Sequence, residues 1–346
     1  MPREKDHEMS CLLCSAKGHL LYENLTDRYI GTPGTWNLVR CASDNHLWLS
    51  PRPIQSEIER SYDDYYTHEQ TPELSPAGTL KERIVRSVIN GRYRYGARDH
   101  LLRNCARWAT NSFLPGAADF AGARIMWLMG PARGRLLDVG CGNGAFLARM
   151  HSLGWSVSGI EPDERAADLA RKRLFPDVTI VNASFETSSF GEATFDVVTS
   201  NQVIEHVEDP ICFLGTIKRL LVPGGTLVVT TPNGSSQGHT IFGRNWFGLD
   251  PPRHLHIFST NSLVKCTQLA GLTVVQCRTT ASAAAGTWRA SACLRASGNA
   301  SQRLVLDRGF AHRAKALLYY LQQQALVRRG HDVGEYLVLI ARKPTK

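Results

Sequence analysis

Residues 136–147 read LLDVGCGNGAFL, an apolar strand pattern that breaks into glycines and resumes as a helix. Gly140, Gly142 and Ala145 fit a G-x-G-x-x-G/A turn, in which bare backbone lets a ligand settle on the N-terminus of the following helix. That strand-to-helix turn makes the chain an α/β protein. The chemistry depends on which ligand the turn admits.

Downstream, short apolar runs alternate with helical patterns: RLLDVG, GAFLARMHSLG, VSGIEP, DERAADLARKRL, VTIVNA, FDVVTS, a helix near 210–221, GTLVVTTP, a helix near 260–270, and LTVVQC. The alternation predicts a parallel sheet with helices on both faces. EYLVLIARK at 335–343 adds a last, antiparallel strand. The stretch 281–332 is too long for a bare loop and forms a helical insertion. In it AHRAKALLYYLQQQALVRRG carries Leu317, Leu318, Leu321 and Ala325 along one side of an amphipathic helix. Upstream, residues 1–68 form a small module with paired cysteines, the stiff Ser50-Pro51-Arg52-Pro53 and the tyrosine-rich 61–66. Residues 69–130, with Leu80, Ile84, Val88, Leu101, Leu102 and Trp108 among arginines, form a helical linker or lid. The third part, 131–346, is the α/β domain.

A chain of 346 residues can bury one large core plus appendages. Its charged start, MPREKDHEMS, has no apolar signal region, and no stretch reaches membrane-spanning length. The nine cysteines are an odd number spread over a long chain and suit a reducing compartment, so the expectation is a cytoplasmic protein. The net charge of +9 is uneven: from Trp288 to Gly330 there are eight Arg or Lys against one acid, Asp307. Such segments are solvated faces or meet an anionic partner, and no aromatic-rich RNA-recognition motif accompanies them.

Asp138 stands two residues before Gly140 and discriminates between ligands. A pyrophosphate on the turn would meet it at about 4 Å, a repulsion on the order of 4 kcal/mol at an effective dielectric near 20. S-adenosylmethionine carries a sulfonium and an ammonium instead, and a carboxylate attracts both. Glu161, in SGIEPDE at the end of the next strand, can take both ribose hydroxyls. Phe185, in NASFET, either lies against an adenine face or is core.

In order and spacing, LLDVGCGNGAF, SGIEPDE, FDVVTSNQVIEHVEDP and LLVPGGTLVVTTPN resemble the class I S-adenosylmethionine-dependent methyltransferases over residues 131 to about 280. The resemblance implies a Rossmann-like sheet of seven mostly parallel strands with a reversed last strand, and transfer of a methyl group to a nucleophile. It implies that Gly140, Cys141 and Gly142 line the methionine and that Glu161 takes the ribose. Ser184 and Phe185 then flank the adenine, Asn201 and Gln202 close over the methionine end, and Asp138 belongs with them.

Cys11-x2-Cys14 and Cys41 supply three thiolates, and a structural zinc site needs four ligands. The region resembles the module that precedes the methyltransferase domain in many bacterial enzymes, in which a second C-x2-C pair completes the set. Here RCASDNHLWLSPRP puts Asp44 at the last cysteine's place, with His46 two residues on. Imidazole matches three thiolates better than carboxylate does, so the expected ligands are Cys11, Cys14, Cys41 and His46, ahead of Asp44.

Methyl transfer needs an aligned nucleophile and a proton acceptor. Glu205-His206 and the later Arg253-His254-Leu255-His256 resemble a constellation of small-RNA 2′-O-methyltransferases, in which E-x-x-E-H and a later histidine hold a divalent metal. The E-H-V part is also shared with ubiquinone-pathway O-methyltransferases. Gln202 stands where the metal pattern has its first glutamate, so an active-site metal is open but not expected. Glu205, His206, His254 and His256 are then a base group, metal ligands or structural residues. Trp246, Phe247, Arg253 and Phe258 are the expected wall of an acceptor pocket. The expected acceptor is a small molecule, a hydroxyl of a sugar or secondary metabolite. An RNA 2′-O-methyltransferase or a non-catalytic protein that binds nucleic acid is the alternative.

The charge argument predicts that the purified protein binds S-adenosylmethionine in calorimetry and does not bind NADH. Glu161→Ala should cost about 1.5–3 kcal/mol of that affinity, the range of charge-assisted hydrogen bonds. Tighter binding of NADH than of S-adenosylmethionine contradicts the ligand assignment.

Overall fold

Thr79 opens the first long helix by accepting the Glu82 backbone N–H on its side chain at 3.3 Å, a cap that satisfies one of the four donors a helix start leaves unpaired. In the computed structural model the described residues are 9–53, 58, 79–96, 116–174, 178–185, 190–299 and 309–345. The tyrosine-rich 61–66 and Leu101, Leu102 and Trp108 of the linker lie outside them. Three strands come first, β1 (Gly18–Leu25), β2 (Trp36–Cys41) and β3 (Leu47–Ser50), then helices α1 (Leu80–Arg92) and α2 (Ala117–Ala123). Next come β4 (Arg135–Val139), α3 (Ala145–Ser152), β5 (Ser156–Ile160), α4 (Glu164–Arg173), β6 (Thr179–Val181), β7 (Phe195–Asn201), α5 (Pro210–Leu220) and β8 (Leu221–Pro232). They are followed by α6 (Gln237–Phe242), β9 (His256–Ile257), α7 (Thr260–Leu269), β10 (Thr273–Thr280), α8 (Ala284–Ser297), α9 (Phe310–Arg328) and β11 (Tyr336–Arg342).

Seven strands make one sheet in the order β10-β11-β8-β7-β4-β5-β6, and four make another, β1-β2-β3-β9. The predicted α/β architecture is therefore present, with β11 antiparallel to β10 as the reversed last strand. By contacts the chain divides into two compact units.

One unit comprises Tyr66–Ser200, Arg219–Val228 and Lys343–Lys346. In it β4 pairs in parallel with both β5 and β7, and β5 with β6. Leu136, Leu137 and Val139 of β4 are buried on both faces, which is why the strand reads as a continuous apolar run. Helix α4 starts where the Asp163 side chain accepts the Ala166 N–H at 2.7 Å, and it turns Ala166, Ala167 and Ala170 inward.

The other unit comprises Met1–Tyr65, Asn201–Lys218 and Val229–Arg342. The sequence sets residues 1–68 apart, yet in this unit β3 pairs with β9, Leu47 opposite Ile257 and Trp48 opposite His256. All four residues of β3 are buried, and a strand buried on both faces needs a partner beyond its own hairpin. Leu38, Leu47, Leu49, Trp246, Leu255 and Ile257 share one core. Within it Arg253 donates to Asp27 at 2.7 and 3.0 Å and to Asp250 at 2.5 and 3.0 Å. Burial alone would raise the Asp27 carboxyl, but the guanidinium holds it well below the usual carboxylate range.

Helices α8 and α9 fill the predicted insertion, and the leucines of α9 share one side as the spacing predicts, a side that faces outward. Its buried face carries Ala316, Tyr319, Gln323 and Gln324, while Leu317, Leu318 and Leu321 are exposed. The reason is Glu335, a fully buried carboxylate at the foot of β11. It accepts hydrogen bonds from the Tyr319 hydroxyl, from the Gln323 amide at 2.8 Å and from the Trp246 indole at 2.9 Å. A buried charge demands such donors, and the helix turns its polar side in to supply them.

Candidate functional site

In the first unit the turn after β4 has the backbone that the glycines predict. Gly140 and Gly142 sit at φ +74° and +52°, a left-handed conformation in which any other residue is strained. The Gly140 and Cys141 N–H groups donate to the Ile160 carbonyl at 2.9 and 3.0 Å, tying the turn to the end of β5. Glu161 completes the clamp: its carboxylate accepts the Gly142 N–H at 2.8 Å and the Asp163 N–H at 3.0 Å. Asn182, which the sequence reading missed, donates from its amide to the carbonyls of Glu161 and Pro162 at 2.9 and 3.0 Å. Its only signal in the sequence is its place just after β6.

Asp138 is buried, and the Thr199 hydroxyl donates to it at 2.7 Å. Burial pushes its carboxyl up to about 8; the Thr199 hydrogen bond opposes that shift, and the nearby Glu161 charge adds to it. Two carboxylates thus share the end of the sheet beside a bare turn, an arrangement that a cationic ligand relieves. Cys141 and Phe185 are both buried, while Ser184 is exposed.

In the second unit Asn201 ends β7 and Gln202 follows at φ +58°, a costly conformation for a residue with a side chain. The Gln202 N–H donates to the Thr230 carbonyl at 2.9 Å, its side-chain amide donates to the Thr230 hydroxyl at 3.3 Å, and that hydroxyl donates to Asn201. Glu205 is fully buried; one oxygen accepts the Thr231 hydroxyl at 2.9 Å, and Oε1 has no hydrogen-bond partner among the described residues. Burial pushes its carboxyl up to about 8. Both Thr230 and Thr231 lie outside the residues that the sequence singled out.

His206 and His254 meet edge to face, with ring centroids 4.8 Å apart. A carbonyl only accepts, so His206 Nδ1 donates to the Arg253 carbonyl at 3.0 Å and His254 Nδ1 to the Gly248 carbonyl at 2.9 Å. Nε2 is then the lone-pair nitrogen of each neutral ring. Burial lowers the pKa of both. One ligand atom from each of Glu205, His206 and His254 lies within 4.8 Å of the others.

His256 does not join them. Its Nε2 donates to the Glu208 carbonyl at 3.3 Å, and its Nδ1 lies 3.2 Å from His46 Nε2. Trp246, Arg253 and Phe258 of the expected acceptor wall are each about 1% exposed or less. They face the interior: Trp246 on Glu335, Arg253 between its two carboxylates, Phe258 stacked at 5.2 Å on His46. Phe247 alone of the four keeps partial exposure.

At the amino end, Cys11, Cys14, Cys41 and Asp44 form a set whose ligand atoms lie within 4.8 Å of one another. Cys11 Sγ is 3.9 Å from both Asp44 oxygens, and Cys14 Sγ is 3.4 Å from Cys41 Sγ. Each pair ends in the same turn: Ser15 after Cys14 has φ +58° and Asn45 after Asp44 has φ +57°. Asp44 thus supplies the fourth ligand atom of this set. His46 Nδ1 is 3.7 Å from Cys11 Sγ but falls outside the set, its ring held between Phe258 and His256.

Residues 113–277 match the methyltransferase domain family. The ubiquinone biosynthesis O-methyltransferase of Thiobacillus denitrificans is 31% identical over 174 residues, which cover 47% of this chain and 73% of that protein. The chain belongs to the class I S-adenosylmethionine-dependent methyltransferases. Its counterpart from Aromatoleum aromaticum is 31% identical over 158 residues, 43% of this chain and 68% of that one. For the enzyme from Cereibacter sphaeroides the figures are 33% over 130 residues, 36% and 53%, so the methyltransferase spans about half of that relative. S-adenosylmethionine supplies an activated methyl group, and the paired carboxylates of the first unit suit its positive charges.

The raised Asp138 pKa gives a sign to test. A carboxyl whose folded pKa exceeds its unfolded value makes the protein lose stability as pH rises from the ordinary carboxylate range to about 8. A cation bound beside it favours the charged form and drives the proton off. Calorimetry near pH 7 in buffers of different ionisation heat should therefore show more proton release on S-adenosylmethionine binding in the wild type than in Asp138→Asn. Equal release in the two proteins would remove the Asp138 charge from ligand binding.

Proposed function

We propose that this methyltransferase methylates a hydroxyl of a small-molecule acceptor, on a sugar or secondary metabolite, and that His206 or His254 takes the hydroxyl proton. The observation that carries this reading is the fixed tautomer of the two rings: each commits Nδ1–H to a backbone carbonyl, leaving Nε2 as the proton acceptor. Glu205 and His206 follow the carboxyl end of β7, next to Asn201 and Gln202, the pair that the family resemblance assigns to the methionine end. The relatives' naming as O-methyltransferases also supports a hydroxyl, which needs deprotonation more than an amine does. The cofactor contacts proposed for this reading are Asp138, Gly140, Cys141, Gly142, Glu161, Ser184, Phe185, Asn201 and Gln202.

A divalent metal held by Glu205, His206 and His254 is the second reading, favoured by the unpartnered Glu205 Oε1. Two imidazoles and one carboxylate suit such an ion, and Nδ1–H donation to backbone is how metal-bound histidines are oriented. A panel of hydroxyl-bearing acceptors, with S-adenosylhomocysteine release as the readout, separates the two. For a histidine base the rate rises with pH through one apparent pKa and survives EDTA. His206→Ala or His254→Ala, whichever removes the base, then lowers turnover roughly 100-fold while cofactor affinity holds. Loss in EDTA restored by magnesium or manganese selects the metal, and full turnover in both variants refutes a role for the histidines.

We also propose that Cys11, Cys14, Cys41 and Asp44 hold one structural zinc. Three sulfurs and a carboxylate in two matching turns are a donor set that zinc accepts. Elemental analysis after dialysis against a weak chelator should find one zinc per chain. Asp44→Ala should release it and His46→Ala should retain it, and the reverse result would restore His46 as the ligand.

A further inference from the structure

Among the described residues, the apolar side of α9 is its exposed side. Phe310 is 88% exposed, Leu317 54%, Leu318 66% and Leu321 48%. At 3.6 residues per turn, positions 310, 317, 318 and 321 fall on one stripe, and Ala314 and Ala325 continue it. The stripe is not a misplaced core face. The opposite side of the same helix is satisfied by the buried Glu335, which Tyr319 and Gln323 address directly, so the helix's orientation is fixed from within. A contiguous apolar patch on an otherwise wet surface marks a binding face.

The charges say what binds. From Phe310 to Gly330 the chain has Arg313, Lys315, Arg328 and Arg329 and no acidic residue, and all four are exposed. On the helical wheel Arg313 lies to one side of the apolar stripe and Lys315 and Arg329 to the other, while Arg328 closes the stripe at its C-terminal end. A second copy of this chain is a poor occupant: an antiparallel pair of these helices sets Arg313 and Lys315 against Arg328 and Arg329, and a parallel pair sets each cation against itself. Nucleic acid would use the cations but leave three leucines and a phenylalanine unburied. Aromatic and leucine side chains in the centre with lysine and arginine at the rim are the composition of a helix that lies in a bilayer interface. Among the described residues no helix is long and apolar enough to cross a membrane, which α9 does not need to do.

We propose that α9 is an interfacial anchor that lays Phe310, Leu317, Leu318 and Leu321 into the surface of an anionic lipid bilayer. The inference stands independently of the acceptor and of the base. The full chain should sediment with vesicles of mixed phosphatidylglycerol and phosphatidylcholine, and about ten-fold less with phosphatidylcholine alone. Rising salt should weaken the binding. The triple variant Leu317→Gln, Leu318→Gln, Leu321→Gln should bind mixed vesicles at least about ten-fold more weakly, while still binding S-adenosylmethionine in calorimetry as a check that it is folded. Single exchanges, Leu318→Gln first, serve if the triple variant fails that check. Equal binding to neutral and anionic vesicles, or undiminished binding by the leucine variants, overturns the proposal. It is also overturned if the wild type ignores vesicles and is a dimer that the leucine variants convert to monomer, which would make a second copy the occupant.

Discussion

Arg253 is the tie on which the second unit depends. Its guanidinium, with no exposed side-chain surface, joins Asp27 near the amino end to Asp250 on its own loop. Removing one member of such a buried group typically costs about 3–5 kcal/mol, because a charge is left without a counterpart. The same residue's carbonyl accepts the His206 ring N–H, and the next residue is His254. One buried cation therefore fixes the turn after β1, the loop that follows β8 and the mutual placement of two histidines. The acceptor chemistry proposed for those rings rests on a contact that is itself not chemical at all.

The first unit works on the opposite principle. Where Arg253 neutralises two carboxylates from inside the protein, Asp138 and Glu161 are two acids brought close enough to feel each other at the end of the sheet. Backbone amides hold Glu161 and a hydroxyl holds Asp138, which orients both. Burial pushes the Asp138 carboxyl up to about 8, so the cation proposed as ligand would gain its second negative charge by displacing a proton.

The sheet, its helices and the reversed last strand were legible because each rests on local periodicity, and the glycine turn was legible because only glycine tolerates its backbone. What could not be read depends on residues that meet across long separations. Arg253 looks like part of an Arg-His-Leu-His run until Asp27, 226 positions away, claims it. The choice between Asp44 and His46 turned on donor chemistry in the sequence. In three dimensions Asp44 repeats the turn geometry of Cys14 and lies in the cluster, while the His46 ring packs against His256 and Phe258, none of which spacing reveals. That the leucines of α9 share one side was legible from their spacing, but spacing does not say which way the side faces, and the buried Glu335 draws the polar side in.

That inward polar side also has a thermal consequence. Burying apolar surface has a large heat-capacity signature and weakens on cooling, whereas polar surface contributes to heat capacity with the opposite sign. Glu335 grips α9 through a hydroxyl and an amide. These polar contacts, beside the small apolar cluster around Tyr319, carry a smaller heat-capacity change than the leucine-rich core beneath β3 and follow a different course with temperature. Cooling loosens the apolar core first and leaves the helix's polar hold the firmer of the two.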